Sequence, residues 1–371
     1  MVLGLLPAIR GGLGELAKTG QHSRLIDGYL RPYARAFEEV RYFSYLSESL
    51  GDYTADAELL ARVRLLPGGG WHSWLYAFLL PLRYRRELRG CAILRVFQVT
   101  GVIPALVAKR LFGLPFVTTY GFWYSKLARS GASRGLRRVV EAAGLAAAEA
   151  VIVTTPELAA YVARKVGDAK VHLIPNGVDT GLFRPLARAP GAVKRVLYVG
   201  RLSEEKNLGA LVEAAGKLVG RFSLGLTFIG DGPLLGRLEA RARALGVPAQ
   251  FLPFVDHGAL PGYFAEADAF VLPSFTEGHP KVLLEAMSCG IPCVASNVGG
   301  NRAIVTDSQT GLLFDPADAD TLADRLEWVF TQEEFARQLG ARARARIVEH
   351  YDLGTLVGRE IELLRRLARA A

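Results

Sequence analysis

Two glutamates eight residues apart, Glu277 and Glu285, stand within Pro273–Ala295, PSFTEGHPKVLLEAMSCGIPCVA. Pro280 and Gly290 mark the start and stop of a helix between strands expected at Ala269–Leu272 and Ile291–Ala295. Glu285 is flanked by Leu283, Leu284, Ala286 and Met287. A carboxylate buried there needs a partner or a polar ligand, although the spacing suits a partly exposed helix glutamate equally well. Upstream, the loop Gly200-Arg201-Leu202-Ser203-Glu204-Glu205-Lys206-Asn207 leaves a strand expected at Arg195–Val199. Gly230-Asp231-Gly232-Pro233 leaves another, Leu226–Ile229. Ligands of open parallel sheets sit at the carboxyl ends of strands. Two cations, glycine backbone and a helix N-terminus collected there suit a diphosphate, with each charge-assisted hydrogen bond contributing about 1.5–3 kcal/mol. The carboxylates suit hydroxyls, Glu285 those of a ribose and Glu277 those of a sugar or an oxocarbenium-like centre. Each piece also has a plain reading: a solvated charged loop for Arg201 and Lys206, a tight turn for Gly230–Gly232.

These residues need parallel strands to hold them, and strands and helices alternate along the whole chain. Further strands are expected at Val2–Ile9, Val40–Tyr45, Arg62–Leu66, Ala92–Phe97, Pro115–Thr119, Ala150–Thr154, Val171–Ile174, Gln250–Pro253 and Leu312–Phe314. After the first comes a glycine turn with Gly11, Gly12 and Gly14, which suits close approach to phosphate or a simple flexible turn. Arg184–Ala192, RPLARAPGA, has no periodicity and reads as a linker. The expected fold is α/β, two doubly wound Rossmann-like domains.

Length, 371 residues, suits two domains. Half the residues are hydrophobic and 22% are charged, as in globular proteins, and no apolar run is long enough to span a bilayer. MVLGLLPAIR carries its charge after the apolar run and reads as a strand, not a signal peptide. Cys91, Cys289 and Cys293 lack metal-ligand spacing and read as buried free thiols of a reducing cytoplasm. Asp318-Ala319-Asp320 precedes a helix and reads as a cap, so no metal is expected. Residues 1–180 hold 23 Lys/Arg against 14 Asp/Glu, and the remainder 22 against 22, so the net +9 belongs to the first half. No nucleic-acid motif accompanies it; an anionic membrane surface or acceptor is the expected partner. Trp71–Arg89, WHSWLYAFLLPLRYRRELR, has aromatics followed by Arg83, Arg85, Arg86 and Arg89. That pattern fits a helix in a bilayer interface or a surface helix with a solvated basic end.

Gly200-Arg201 with Lys206, Gly230-Asp231-Gly232-Pro233, and Glu277-Gly278-x-Pro280 with Glu285 together resemble family 4 of the retaining glycosyltransferases, of GT-B fold. Ile174–Asp179, Val298–Asn301 and Thr310–Leu313 support the likeness, which is dense in the second half and only outlined in the first. It implies a nucleotide-diphosphate sugar as donor, a glycan or lipid-linked acceptor and no cofactor; the thiols and the basic first half add the expectation of a cytoplasmic enzyme, peripheral on the membrane's inner face. It implies that Arg201 and Lys206 neutralise the leaving diphosphate, with Glu277 beside the donor sugar and Glu285 on the ribose. Gly278, His279, Lys281, Val282 and Gly230 would line the donor, and Gly11 and Gly12 would approach the diphosphate from the first domain. The implied division is 1–185 for the acceptor side and 186–352 for the donor side, facing across a cleft, with the helix at about 353–371 packing back on the first.

Three positions depart from the family pattern. His279 stands where relatives carry an apolar residue, Arg302-Ala303 replace Pro-Glu, and Tyr120-Gly121 replace a His after the fifth strand. Competing readings are a nucleotide-sugar epimerase, for which no extra acid/base pair is visible, and a non-catalytic nucleotide-sugar-binding subunit. A NAD-dependent oxidoreductase would require G-x-G-x-x-G where Val199-Gly200-Arg201-Leu202 stands.

Overall fold

The computed structural model describes residues 1–123, 131–187 and 191–370, apart from the side chains of 131–134. The chain folds as two compact units, Met1–Pro175 with Gly354–Ala371, and Asn176–Leu353. The division falls at Pro175, ahead of the expected boundary at 185. Residues 176–185 are tied into the second unit: Val178 N donates to Tyr351 O and Leu353 N to Val178 O, both at 2.9 Å. Phe183 is fully buried, and its carbonyl accepts from Ser288 Oγ at 2.6 Å and Arg344 Nη1 at 2.7 Å. The stretch expected as a linker therefore lies within the second unit's sequence; its residues 188–190 are outside the described ones.

In the first unit β1 (Val2–Leu6), β2 (Glu39–Phe43), β3 (Val63–Leu66), β4 (Ile93–Val96), β5 (Phe116–Tyr120), β6 (Ala150–Val153) and β7 (Val171–Leu173) form a parallel sheet. Among the described residues it has seven strands, ordered β3-β2-β1-β4-β5-β6-β7. Leu3 is in register with Val40 on one side and Ile93 on the other. β1 stops at Leu6, short of Ile9, because Pro7 has no N–H for the ladder. Trp71–Arg89 forms two helices, Ser73–Arg83 and Arg85–Arg89. Pro81 withdraws a hydrogen bond from the last turn of the first, and Tyr84 at the break donates its hydroxyl to Pro67 O at 2.6 Å. The final helix, Leu353–Ala370, joins this unit through Glu360. Its carboxylate meets Arg95 Nε of β4 at 2.5 Å and the Tyr33 hydroxyl.

In the second unit β8 (Lys194–Val199), β9 (Leu224–Ile229), β10 (Ala249–Leu252), β11 (Ala269–Leu272), β12 (Cys293–Ser296) and β13 (Leu312–Phe314) form another parallel sheet. Its order is β10-β9-β8-β11-β12-β13. β12 starts two residues later than Ile291 because Pro292 cannot donate, though its carbonyl still accepts from Phe270 N at 2.9 Å. The chain runs outward from β8 through β9 to β10, then returns to place β11 on the other side of β8. That reversal opens a crevice at the carboxyl ends of β8 and β11. Strands buried on both faces read as continuous apolar runs, which is why they were legible.

Candidate donor site at the β8–β11 crevice

The exit loops of β8 and β11 are bonded to each other. Lys206 ends the short 3-10 turn Glu204–Lys206, and Asn207 follows it in the left-handed region (φ 52°), which Asn tolerates. Asn207 Nδ2 donates to Pro273 O at 3.2 Å and Pro316 O at 2.8 Å, and Phe275 N donates to Glu205 O at 2.9 Å. With the loops pinned, Lys206 Nζ lies 2.6 Å from Glu277 Oε1, which also accepts from Ser274 Oγ at 2.6 Å. The lysine side chain is 22% exposed and the carboxylate 10%. The pair is thus mostly buried, with the lysine the more exposed of the two. Arg201, on the same loop, is exposed.

Small residues behind the loops permit this approach. A side chain on Gly230, which has φ +141°, would place its Cβ 2.0 Å from Gly200 O. Gly230 therefore lets the β8 and β9 exits touch. A Cβ on Gly300 would meet Gly278 O at 2.5 Å and Glu277 O at 2.6 Å. The strand beyond is locked too: Ser296 Oγ donates to Ser274 O at 2.6 Å and Asn301 Nδ2 to Ser296 O at 2.9 Å.

Pro280 stands at the cap of the helix Lys281–Ser288 and has no side-chain oxygen to accept from its first turn. That turn, with the backbone of Lys281 and Val282, opens beside Glu277 and Gly278. Glu285, expected to meet a ribose, is 3% exposed, and its Oε1 lies 3.0 Å from His257 Nε2, itself 5% exposed. The buried carboxylate thus has a partner within the protein, one of the two answers its burial called for. His257 was not singled out from the sequence, because a lone histidine 28 residues away carries no spacing signal. Ser274 and Asn207 stand within the quoted stretches, but a single hydroxyl or amide carries no sign of which oxygen it will bond.

His279 also differs from a ligand-facing contact. Its ring is buried and packs 5.5 Å from Tyr351, while its carbonyl accepts from Asn176 Nδ2 at 2.7 Å. Burial first, and the Lys281 charge second, push the imidazole down to about 3, so it is neutral at physiological pH. In the first unit, the turn after β1 is filled by Glu48. Its carboxylate accepts from Leu13 N at 3.0 Å, Gly14 N at 2.7 Å and Ser44 Oγ at 2.5 Å. A side chain on Gly12 would collide with that carboxylate. The amides of Leu13 and Gly14, which follow the Gly11-Gly12 pair, are satisfied by Glu48, an anion of the protein itself. Asp318 caps the helix Ala319–Thr331, accepting from Asp320 N at 2.9 Å and Thr321 N at 3.2 Å.

Two family models match in succession. One described as Glycosyltransferase Family 4 matches residues 18–182, and one described as Glycosyl transferases group 1 matches residues 184–346. The chain is 26% identical over 271 residues to the Escherichia coli UDP-Gal:alpha-D-GlcNAc-diphosphoundecaprenol alpha-1,3-galactosyltransferase, covering 68% of this chain and 70% of that enzyme. It is 33% identical over 269 residues to a D-inositol 3-phosphate glycosyltransferase of an Arthrobacter species, covering 67% of this chain and 64% of that one. Several other relatives are matched over only 37–53% of their own length. Among solved structures, the sucrose-phosphate synthase of Thermosynechococcus elongatus superposes with a TM-score of 0.85 at 24% identity, covering 100% of both chains. Anabaena HepE in complex with UDP superposes at 0.78 and 16% identity, covering 99% of this chain and 100% of that one. The two units thus have the architecture of GT-B glycosyltransferases. By the matches that run successively through both of its units, the chain belongs to glycosyltransferase family 4.

Proposed function

We propose that the protein is a retaining hexosyltransferase that moves a sugar from a nucleotide-diphosphate donor to a glycan or lipid-linked acceptor. The observation that carries this reading is the Lys206–Glu277 pair at the β8–β11 crevice, 2.6 Å apart and partly open. Lys206 and Arg201 bind the diphosphate and neutralise charge as it departs. That stabilisation acts where charge develops and is the main source of rate. Glu277, with Gly278 and the backbone of His279, Lys281 and Val282, holds the donor sugar. Glu285 accepts from the ribose hydroxyls, and Gly230 lets the phosphates approach backbone. Gly11 and Gly12 shape the first unit's turn, whose neighbouring amides Glu48 holds in place. The two cations perform the neutralisation, so no cofactor is invoked. The test is release of nucleoside diphosphate from a panel of UDP-, GDP- and ADP-sugars. Release from at least one donor, stimulated by acceptor and with the anomeric configuration retained, is expected; inversion or no release overturns the reading.

A lipid-linked acceptor is favoured by the surface of the basic unit. Trp74, Leu75, Phe78 (53% exposed) and Leu82 (56%) line the outer face of the Ser73–Arg83 helix, whose other face buries Tyr76, Ala77 and Leu80, and Trp71 (54%) stands exposed just before it. Exposed Arg83, Arg85, Arg86 and Arg89 follow at its end. The neighbouring helices Val102–Phe112 and Gly131–Ala147 add exposed Leu111, Leu136 and Val139 with Arg110, Arg137 and Arg138. Aromatic and aliphatic side chains beside arginines fit the interface of an anionic membrane, here the inner face of the cytoplasmic membrane. No helix among the described residues is long and apolar enough to cross a membrane. Vesicles containing phosphatidylglycerol should carry the protein upward in a flotation gradient. Replacing Arg83, Arg85 and Arg86 with Glu should leave it at the bottom; a wild type that stays at the bottom refutes membrane contact.

A further inference from the structure

The roles assigned above make no use of His257, although it is a partner of Glu285 in the fold. The chain brings it there from the sheet edge: after β10 it turns back through the 3-10 turn His257–Ala259, which Asp256 caps by accepting from Gly258 N at 2.8 Å. The following helix, Leu260–Glu266, leads into β11. One face of the imidazole packs against Phe183, with ring centroids 4.9 Å apart. Nε2 points at Glu285 Oε1, 3.0 Å away, on the helix that opens at the crevice. The ring is held by its turn and by Phe183, and against an ionised carboxylate oxygen its Nε2 must carry the hydrogen.

We infer that His257 is a positioning residue for the donor nucleotide, its Nε2–H holding the Glu285 carboxylate in the orientation that receives the ribose hydroxyls. This rests on the assignment of Glu285 to the ribose. A glutamate has several rotamers, and a carboxylate ordered only when ligand arrives loses affinity to that ordering. The histidine performs the ordering during folding. His257 touches no ligand in this scheme; it acts through Glu285, and the discrimination it supports is for a nucleotide carrying both ribose hydroxyls.

Two substitutions separate this role from simple packing. His257→Phe keeps an aromatic ring against Phe183 and removes the donor, whereas His257→Gln offers an amide N–H near the place of Nε2. Binding of UDP, GDP and ADP, and of the 2′-deoxy and 3′-deoxy forms of whichever binds, is measured by titration calorimetry on the full chain, with melting temperatures recorded. His257→Phe should weaken the ribonucleotide about tenfold, the order expected for one hydrogen bond to a charged group, and His257→Gln should stay within about threefold of wild type. The wild type should prefer ribo- over deoxynucleotide, and His257→Phe should lose most of that preference. The inference is overturned if His257→Phe binds and discriminates like wild type. It is equally overturned if both variants lose affinity and melting temperature together, which marks a packing role alone. A wild type that binds a nucleotide without regard to its ribose hydroxyls refutes the assignment of Glu285, and one that binds none of the three refutes the donor site itself.

Discussion

Lys206 and Glu277 meet across 71 residues of chain as an ion pair. On the proposed reading, a diphosphate entering the crevice would compete with Glu277 for the ammonium and make the pair a three-centre cluster. Lys206→Ala should therefore lower kcat/KM for the sugar nucleotide about 10²–10³-fold, the usual cost of one charge-stabilising donor, with little change in melting temperature. Nucleoside diphosphate release checks it; full activity with any donor the wild type uses would remove Lys206 from the site. His279 makes a different prediction. Its folded pKa is about 3 against 6.5 for the free side chain, so below pH 6.5 the unfolded chain takes up a proton that the folded chain refuses. The stability that comes from keeping this ring neutral is complete above pH 6.5 and declines as pH falls toward 3. Between neutral pH and about pH 5 it should cost about 2 kcal/mol, and His279→Gln should flatten that part of the slope in urea unfolding.

The helix Lys281–Ser288 gains its position from the segment beneath it. Gly300 lies against the carbonyls of Glu277 and Gly278, so the turn that presents both residues rests on a hydrogen where any other residue has a Cβ. Gly300→Ala should destabilise the second unit by about 1–3 kcal/mol through overpacking. It should also raise KM for the donor more than the distant substitution Gly236→Ala, which meets open space. Equal KM values in the two variants would show that the turn absorbs the methyl group. The helix itself was legible in the sequence from Pro280 and Gly290, and so was each strand exit that carries a candidate residue. The inner partner of Glu285 was not. The helical pattern marked that carboxylate as misplaced, but only packing shows that a histidine 28 residues away stands beside it.

At the scale of the molecule, the chain passes from the first unit into the second and returns with Gly354–Ala371. Glu360 anchors that return, bonded to Arg95 and Tyr33 with both charged side chains nearly sealed from solvent. Removing one member of a buried pair leaves the other charge uncompensated, at a cost of about 3–5 kcal/mol. Glu360→Ala should therefore lower the first melting transition by several degrees and expose the final helix to limited proteolysis; an unchanged proteolytic pattern would show that apolar packing alone holds it. The sequence by itself determined the α/β alternation, the sites of strand exits, the acidic, basic and glycine residues standing at them, and the uneven charge of the two halves. These are local properties, set by the period of a strand or helix and by turn chemistry within a few residues. Tertiary structure alone decided that β8 lies beside β11, that Lys206 faces Glu277, that His257 answers Glu285, and that Glu48 fills the first glycine turn. The unit boundary at Pro175 belongs with these, because Val178 and Phe183 are claimed by partners more than a hundred residues away. Such pairings depend on crossover order and on which buried polar groups remain to be satisfied once the apolar faces have closed, and no repeat along the chain records them.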